Sequence, residues 1–292
     1  MERENYINKD RNSMYDPMQY RMITDDPFSS LMSIDLMATE LCNLTCEFCP
    51  RAHGYPNLNL HMDLKIIDKV GSDLANSHYQ NRIVYCGFGE SLLYNNLTES
   101  IQLLKKYMPW QENIHMVTNG DRLTYDKTVE LVDAGLNKFF VSMYEGPEQE
   151  EKFRELFAKV GLNEDHFILQ HYYKPQSENY GFIHLSNRAG YMFESDIPNA
   201  GCNIPFYGMS IHWDGDVLLC SHDWEKKQIM GNVMESSVQD IWLKSKKLWE
   251  FRNMLKKGRT CHPCNKCNIL GIIYGNNSKK ILLEMQNDNF KS

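Results

Sequence analysis

Residues 33–49 read SIDLMATELCNLTCEFC. Ser33–Met37 is apolar enough for a strand, and it runs into a loop carrying Cys42, Cys46 and Cys49. The same order recurs further along the chain. Asp63 is placed to cap a helix reaching about Ala75, in which Leu64, Ile66, Ile67 and Val70 form one apolar stripe. Arg82–Cys86 reads as a second strand and opens into a loop at Gly87–Leu93. A helix at Leu97–Tyr107 and a strand at Ile114–Thr118 follow, the strand stopped by the turn signal Asn119–Gly120. Next come a helix at Thr124–Ala134 stopped by Gly135, a strand at Lys138–Tyr144, a helix at Gln149–Val160 and a strand at Phe167–Tyr172. A sixth strand ends near Leu185. Alternation at this spacing predicts βαβ units and a parallel sheet, with the working residues in loops after strand C-termini. The cysteine loop, Gly87–Glu90 and Asn119–Gly120 are three such loops.

The pattern changes after about Tyr191. Gly208–Trp213 and Val217–Cys220 are apolar stretches joined by Asp214-Gly215-Asp216, a hairpin signal. A helix at about Val238–Leu255 and a cysteine-rich segment follow. This predicts an N-terminal extension (1–31), an α/β core (32–195) and a C-terminal domain (196–292). The net charge of −7 argues against nucleic acid, and the short basic runs Lys244–Lys247 and Lys256–Arg259 read as solvated helix faces. No apolar run approaches the roughly 20 residues of a membrane helix. The polar N-terminus lacks a signal peptide's apolar centre, so a cytoplasmic protein is expected.

Nine cysteines are many for that compartment, where disulfides are disfavoured, so metal or catalysis is the better reading. Iron–sulfur clusters usually take four cysteines. The three at Cys42, Cys46 and Cys49 leave one iron of a four-iron cluster open for a substrate or cofactor. A zinc site needs a fourth ligand, for which His53 is available.

The C-x3-C-x2-C spacing after a first strand resembles the signature of the radical SAM superfamily. Phe48 fills the aromatic position before the last cysteine, and Gly87-Phe88-Gly89-Glu90 looks like that family's Gly-Gly-Glu motif. The resemblance implies a partial (β/α)6 barrel and S-adenosyl-L-methionine chelated to the open iron of a [4Fe-4S] cluster. It implies reductive cleavage to a 5′-deoxyadenosyl radical, which abstracts hydrogen from carbon. By position, Phe48 lies against the adenine, and Gly87, Gly89 and Glu90 contact the methionine ammonium. Asn119 and Ser142 resemble contacts to ribose or methionine, although Asn119 also reads as a turn residue and Ser142 as a small barrel residue. Arg188, in Asn187-Arg188-Ala189-Gly190, fits the methionine carboxylate, a substrate hydroxyl or the plain surface.

Cys202, Gly215 and Cys220 resemble the start of SPASM and twitch domains, as do Gly231-Asn232-Val233 and Ile241-Trp242. The resemblance makes the C-terminal part a small β-hairpin and helix extension. A full SPASM domain needs seven cysteines for two clusters, and five are present. One auxiliary [4Fe-4S] cluster is therefore implied, on Cys202, Cys220, Cys264 and Cys267. Ligation by Cys261 and Cys264 with Cys267 free, and a zinc site, are the alternatives. A spare Cys261 becomes a candidate hydrogen-atom donor or an inert thiol; Cys86 is a second candidate donor or a packing residue. The reaction implied is oxidation (dehydrogenation) or epimerisation of a sugar, cyclitol or aminoglycoside unit, with an external one-electron reductant of flavodoxin or ferredoxin type. Maturation of a ribosomally made peptide is the alternative. It is disfavoured by the short segment before the first strand and the single auxiliary cluster. A non-catalytic iron–sulfur or zinc scaffold fits poorly with Phe48 and Gly87–Glu90.

Overall fold

The computed structural model describes residues 26–172, 186–272 and 275–289. Strands and helices alternate from Ser33 onward as β1 (Ser33–Met37), α1 (Leu64–Asn76), β2 (Arg82–Tyr85), α2 (Leu97–Tyr107) and β3 (Ile114–Thr118). They continue as α3 (Tyr125–Ala134), β4 (Lys138–Met143), α4 (Pro147–Val160) and β5 (Phe167–His171). Each strand pairs in parallel with the next. Local chemistry sets the helix ends. Asp63 and Thr124 accept from Lys65 N and Lys127 N as N-caps, and Gly135 closes α3 in the left-handed conformation at φ 107°.

Period-two alternation divides the strand faces. Ile34, Leu36, Ile83, Tyr85, Ile114, Met116, Phe139 and Val141 join one apolar core with Ile67, Val70, Leu104, Leu131 and Phe153 of the helices. The alternating positions carry buried polar groups, among them Arg82, His115, Ser142, Gln170 and Ser210, with Asp35 half-buried beside them. Burial raises the Asp35 carboxyl, partly offset by the Arg82 charge and by hydrogen bonds from Ser33 and Ser210.

The hairpin read at Asp214-Gly215-Asp216 is present, but it belongs to the same sheet. Strand β6 (Gly208–His212) pairs in parallel with the outer edge of β1, and β7 (Asp216–Leu218) and β8 (Ile229–Asn232) add antiparallel strands. The eight-stranded order is β5-β4-β3-β2-β1-β6-β7-β8. The expected strand ending near Leu185 lies outside the described residues. The single helix expected over Val238–Leu255 is two, α5 (Val238–Lys244) and α6 (Lys246–Leu255). Ser245 breaks them: its backbone is extended, and its side chain caps α6 at Leu248 N while donating to Met230 O. Helix α7 (Gly275–Asn289) packs against the turns at Pro27–Ser30 and Ile204–Phe206. Among the described residues no helix is long and apolar enough to cross a membrane.

Candidate functional site

Strand β1 delivers the chain to the cysteine loop, and neighbouring side chains hold that loop by its backbone. Asn57 accepts from Cys42 N at 2.9 Å and donates to Cys42 O at 2.9 Å. Cys49 N donates to Cys46 O at 2.9 Å. All three thiols are half-buried. Burial, then the charges of Cys49 and Cys42, pushes the Cys46 thiol up to about 12. Thiols that oppose each other's ionisation are held as thiolates by a bound cationic centre, so this donor set fits a metal cluster. Among the described residues no three His, Cys, Asp or Glu side chains converge as they do around a single metal ion. A four-iron cluster instead takes its thiolates on separate irons.

The Gly87–Glu90 loop lies directly on this segment. A Cβ at Gly89 would stand 2.6 Å from Leu41 O and closer still to Thr39 O, and one at Gly87, where φ is 128°, would meet Met37. Gly89 is thus required by the backbone packed beneath it, and Gly87 by its positive φ and the Met37 side chain, reasons the motif alone does not disclose. Glu90 N donates to Leu41 O at 2.8 Å. The buried Glu90 carboxylate accepts from Thr118 Oγ1 (2.5 Å), Asn119 N (2.8 Å) and Leu92 N (3.0 Å). Burial still raises it above the usual carboxylate range. Asn119 in turn donates to Asn43 Oδ1 at 3.0 Å, so the ends of β1, β2 and β3 are tied together.

Sequence reasoning missed the residue that clamps two of these loops. Buried Arg51 donates to Phe88 O through Nη2 (2.7 Å) and Nε (3.1 Å), to Pro56 O (2.8 Å) and to Glu40 O. Its place two residues after Cys49 was the available signal. Phe48 lies 5.9 Å from Tyr172, stacked, and 5.3 Å from Tyr144. Ser142 is buried at the end of β4 and donates to Gln170.

The second cysteine set surrounds one small cavity, lined by Cys202, Cys220, Cys264 and Cys267 together with Leu219, His222 and Arg259. Burial raises the Cys220 thiol well above its ordinary value, and the charges of Cys267, Cys264 and Cys202 add to this. Burial, then Cys202 and Cys267, pushes Cys264 up to about 12 against the opposing charge of Arg259. Four crowded thiols on one cavity fit an iron–sulfur cluster. Cys261 does not line this cavity and is exposed. Cys86 lies in the polar interior beside Asp35, and burial raises its thiol strongly. Arg188 sits in a turn tied to the second cysteine segment, where Asn187 donates to Lys266 O (2.7 Å) and to Asn268 Oδ1 (3.1 Å).

Two groups of contacts link the two segments. Phe88 stacks on Trp224 at 4.2 Å, and Tyr55 meets Trp224 edge-on at 4.8 Å, with Cys49 packed against the group. Glu40 Oε1 accepts from His212 Nε2 (2.8 Å), Lys226 Nζ (2.7 Å) and Tyr55 OH (3.2 Å).

A parallel strand-and-helix core with a three-cysteine loop facing a Gly-x-Gly-Glu loop, followed by a four-thiol cavity, defines a class. The sequence model of the radical SAM superfamily matches residues 36–167, and that of the SPASM iron–sulfur cluster-binding domain matches residues 202–268. The chain belongs to the radical SAM superfamily and carries a SPASM-type extension. It is an enzyme whose cofactors are S-adenosylmethionine, a [4Fe-4S] cluster and auxiliary iron–sulfur. It is 29% identical over 247 residues to the S-adenosyl-L-methionine-dependent 2-deoxy-scyllo-inosamine dehydrogenase of Niallia circulans, covering 81% of this chain and 93% of that one. The crystal structure of BtrN in complex with AdoMet and 2-DOIA is similar at a TM-score of 0.69 and 28% identity, over 83% of this chain and 94% of that one. Native anSMEcpe with bound AdoMet shares the fold, at a TM-score of 0.53 and 15% identity over 86% and 96% of the two chains.

Proposed function

We propose that the chain oxidises a hydroxyl-bearing carbon of a carbohydrate-type small molecule: a sugar, a cyclitol or an aminoglycoside unit. When bound, S-adenosylmethionine and the radical cluster supply a 5′-deoxyadenosyl radical that takes hydrogen from such a carbon. In this reading Cys42, Cys46 and Cys49 hold the radical cluster. Gly87, Gly89 and Glu90 place the methionine portion, Phe48 lies against the adenine, and Asn119 and Ser142 line the strand ends facing it. Cys202, Cys220, Cys264 and Cys267 hold one auxiliary [4Fe-4S] cluster, and Arg188, on the turn beside it, meets a substrate hydroxyl. The core spans 32–195 and the auxiliary domain 196–292. An external one-electron reductant and a cytoplasmic setting belong to the same reading.

The observation that carries it is the four-thiol cavity, which offers enough thiols for one cluster and leaves Cys261 outside and exposed. A thiol that returns hydrogen to a substrate radical must share the substrate's pocket, so an exposed Cys261 favours oxidation over epimerisation. The relative named for dehydrogenating 2-deoxy-scyllo-inosamine, an aminocyclitol, supports the substrate class.

The test is anaerobic turnover of 2-deoxy-scyllo-inosamine and related cyclitols in heavy water, with 5′-deoxyadenosine and product followed together. A ketone without solvent deuterium, formed in step with 5′-deoxyadenosine, is expected. An unoxidised product carrying solvent deuterium at the reacting carbon would overturn oxidation.

A further inference from the structure

The charge of this chain is unevenly placed. Residues 1–195 hold 18 Lys and Arg against 28 Asp and Glu, whereas residues 196–292 hold 13 against 10. Within the basic part, the cations gather around the second cysteine site. Exposed Lys256 and Lys257 directly follow Leu255, which lines the four-thiol cavity. Arg259 lines it too, anchored to Ala200 O (2.9 Å), Cys267 O (2.7 Å) and Ile269 O. Exposed Lys266 stands between Cys264 and Cys267. Lys279 is close enough to Lys256 that, after burial, its charge and that of Lys257 press Lys256 below the usual lysine range.

Three of these cations have neutral partners. Lys256 donates to Gln286 Oε1 at 3.0 Å, Arg259 to carbonyls, and Lys279 lies over the Phe206 ring at 5.2 Å. By contrast, Lys244 and Lys280 on the flanking helices pair with Asp240 and Glu284. Cations crowded in this way repel one another unless a negative surface completes them.

We infer that this basic face is the docking surface for an acidic one-electron carrier protein. The inference rests on the reading of the four-thiol cavity as an auxiliary cluster site. Oxidation of a carbinol carbon to a ketone removes one hydrogen atom, taken by the deoxyadenosyl radical, then one proton to solvent and one electron. The carrier, of flavodoxin or ferredoxin class, accepts that electron and is reduced by one equivalent. Docking over Lys256, Lys257 and Lys266 sets its redox centre beside the second cysteine site rather than the Cys42–Cys49 loop. Opposite charge steers such an encounter and makes it salt-dependent.

The test uses reconstituted holoenzyme and isotope-labelled oxidised bacterial flavodoxin. Binding is followed by chemical-shift titration at low and high salt, for wild type and for Lys256→Glu/Lys257→Glu/Lys266→Glu. Wild-type binding that weakens with salt is expected, with a triple variant weakened about tenfold or more at low salt. Its iron content and dithionite-driven 5′-deoxyadenosine formation should match wild type. Lys106→Glu, a single charge reversal on α2, should bind like wild type. Equal affinity of the triple variant and wild type would overturn the docking surface, as would an equal loss in Lys106→Glu. Wild-type iron of about four rather than about eight would separately overturn the auxiliary-cluster reading.

Discussion

Gly89 has no side chain because the loop beneath it leaves no room for one. Its φ is ordinary, so only space forbids a larger residue: a Cβ would press on the carbonyl oxygens of Thr39 and Leu41. Those carbonyls belong to backbone that cannot rotate away while β1 and the cysteine loop stay in register. Gly89→Ala is therefore expected to cost about 1–3 kcal/mol and to lift Glu90 away from Leu41, weakening S-adenosylmethionine binding. Denaturant unfolding and ligand titration check the two effects. Glu40 makes a second argument at this scale. Burial alone would raise its carboxyl, but the hydrogen bonds from His212 and Lys226 and the Lys226 charge outweigh that and hold it at about 2, below the ordinary 4.5. Burial alone would lower His212, but its hydrogen bonds to Asp214 and Glu40 outweigh that and raise it above 6.5. The Glu40 contribution is thus full above pH 4.5 and lost as pH falls towards about 2. That of His212 is full below pH 6.5 and lost as pH rises through its raised value. The stability difference between wild type and His212→Asn should accordingly be larger at about pH 6 than at about pH 9, measured by urea unfolding. A difference that grows with pH would contradict this account.

At the scale of elements, β1 to β5 and α1 to α4 are legible because each carries its own signal. The strands are short apolar runs, and the helices have one apolar stripe with a cap such as Asp63 or Thr124 at the start. The break at Ser245 is hidden because the apolar stripe runs through it, from Val238, Ile241 and Trp242 to Leu248, Phe251 and Leu255. The tie from Ser245 to Met230 O, on β8, reinforces the break its cap makes, and sequence spacing does not show that partner. Strand β8 itself is four residues long with Gly231 inside, too short for alternation to register. Ser245→Ala removes the α6 cap and its tie to β8 together. It is expected to cost about 1 kcal/mol, read as a lower urea midpoint at an unchanged slope. The candidate site divides in the same way. Cys42, Cys46, Cys49 and Gly87–Glu90 are contiguous motifs, so the sequence alone singles them out as candidates. The Glu40 network reaches 172 and 186 residues along the chain to His212 and Lys226, and nothing local announces it.

At the scale of the molecule, one sheet fixes both cysteine sites. Strand β1 is paired on one side with β2, which leads to the Gly87–Glu90 loop, and on the other with β6, which leads through β7 to Cys220. The Phe88–Trp224 stack and the Glu40 network then cross between the sites above the strand ends. This arrangement joins them mechanically while keeping their cysteines separate: no residue lining the four-thiol cavity comes from the Cys42–Cys49 loop. Loss of the second cluster should therefore leave the first intact. Cys264→Ala/Cys267→Ala is expected to reduce bound iron from about eight to about four per chain while retaining a reducible, S-adenosylmethionine-responsive cluster. Cleavage to 5′-deoxyadenosine should continue, slowed and uncoupled, whereas ketone formation stops. Because β6 is held by β1 through five paired positions, the variant should also keep its sheet, with far-ultraviolet circular dichroism close to wild type. Electron paramagnetic resonance with and without S-adenosylmethionine decides it. A variant that loses both clusters while keeping its sheet would show that the two sites are loaded as one unit.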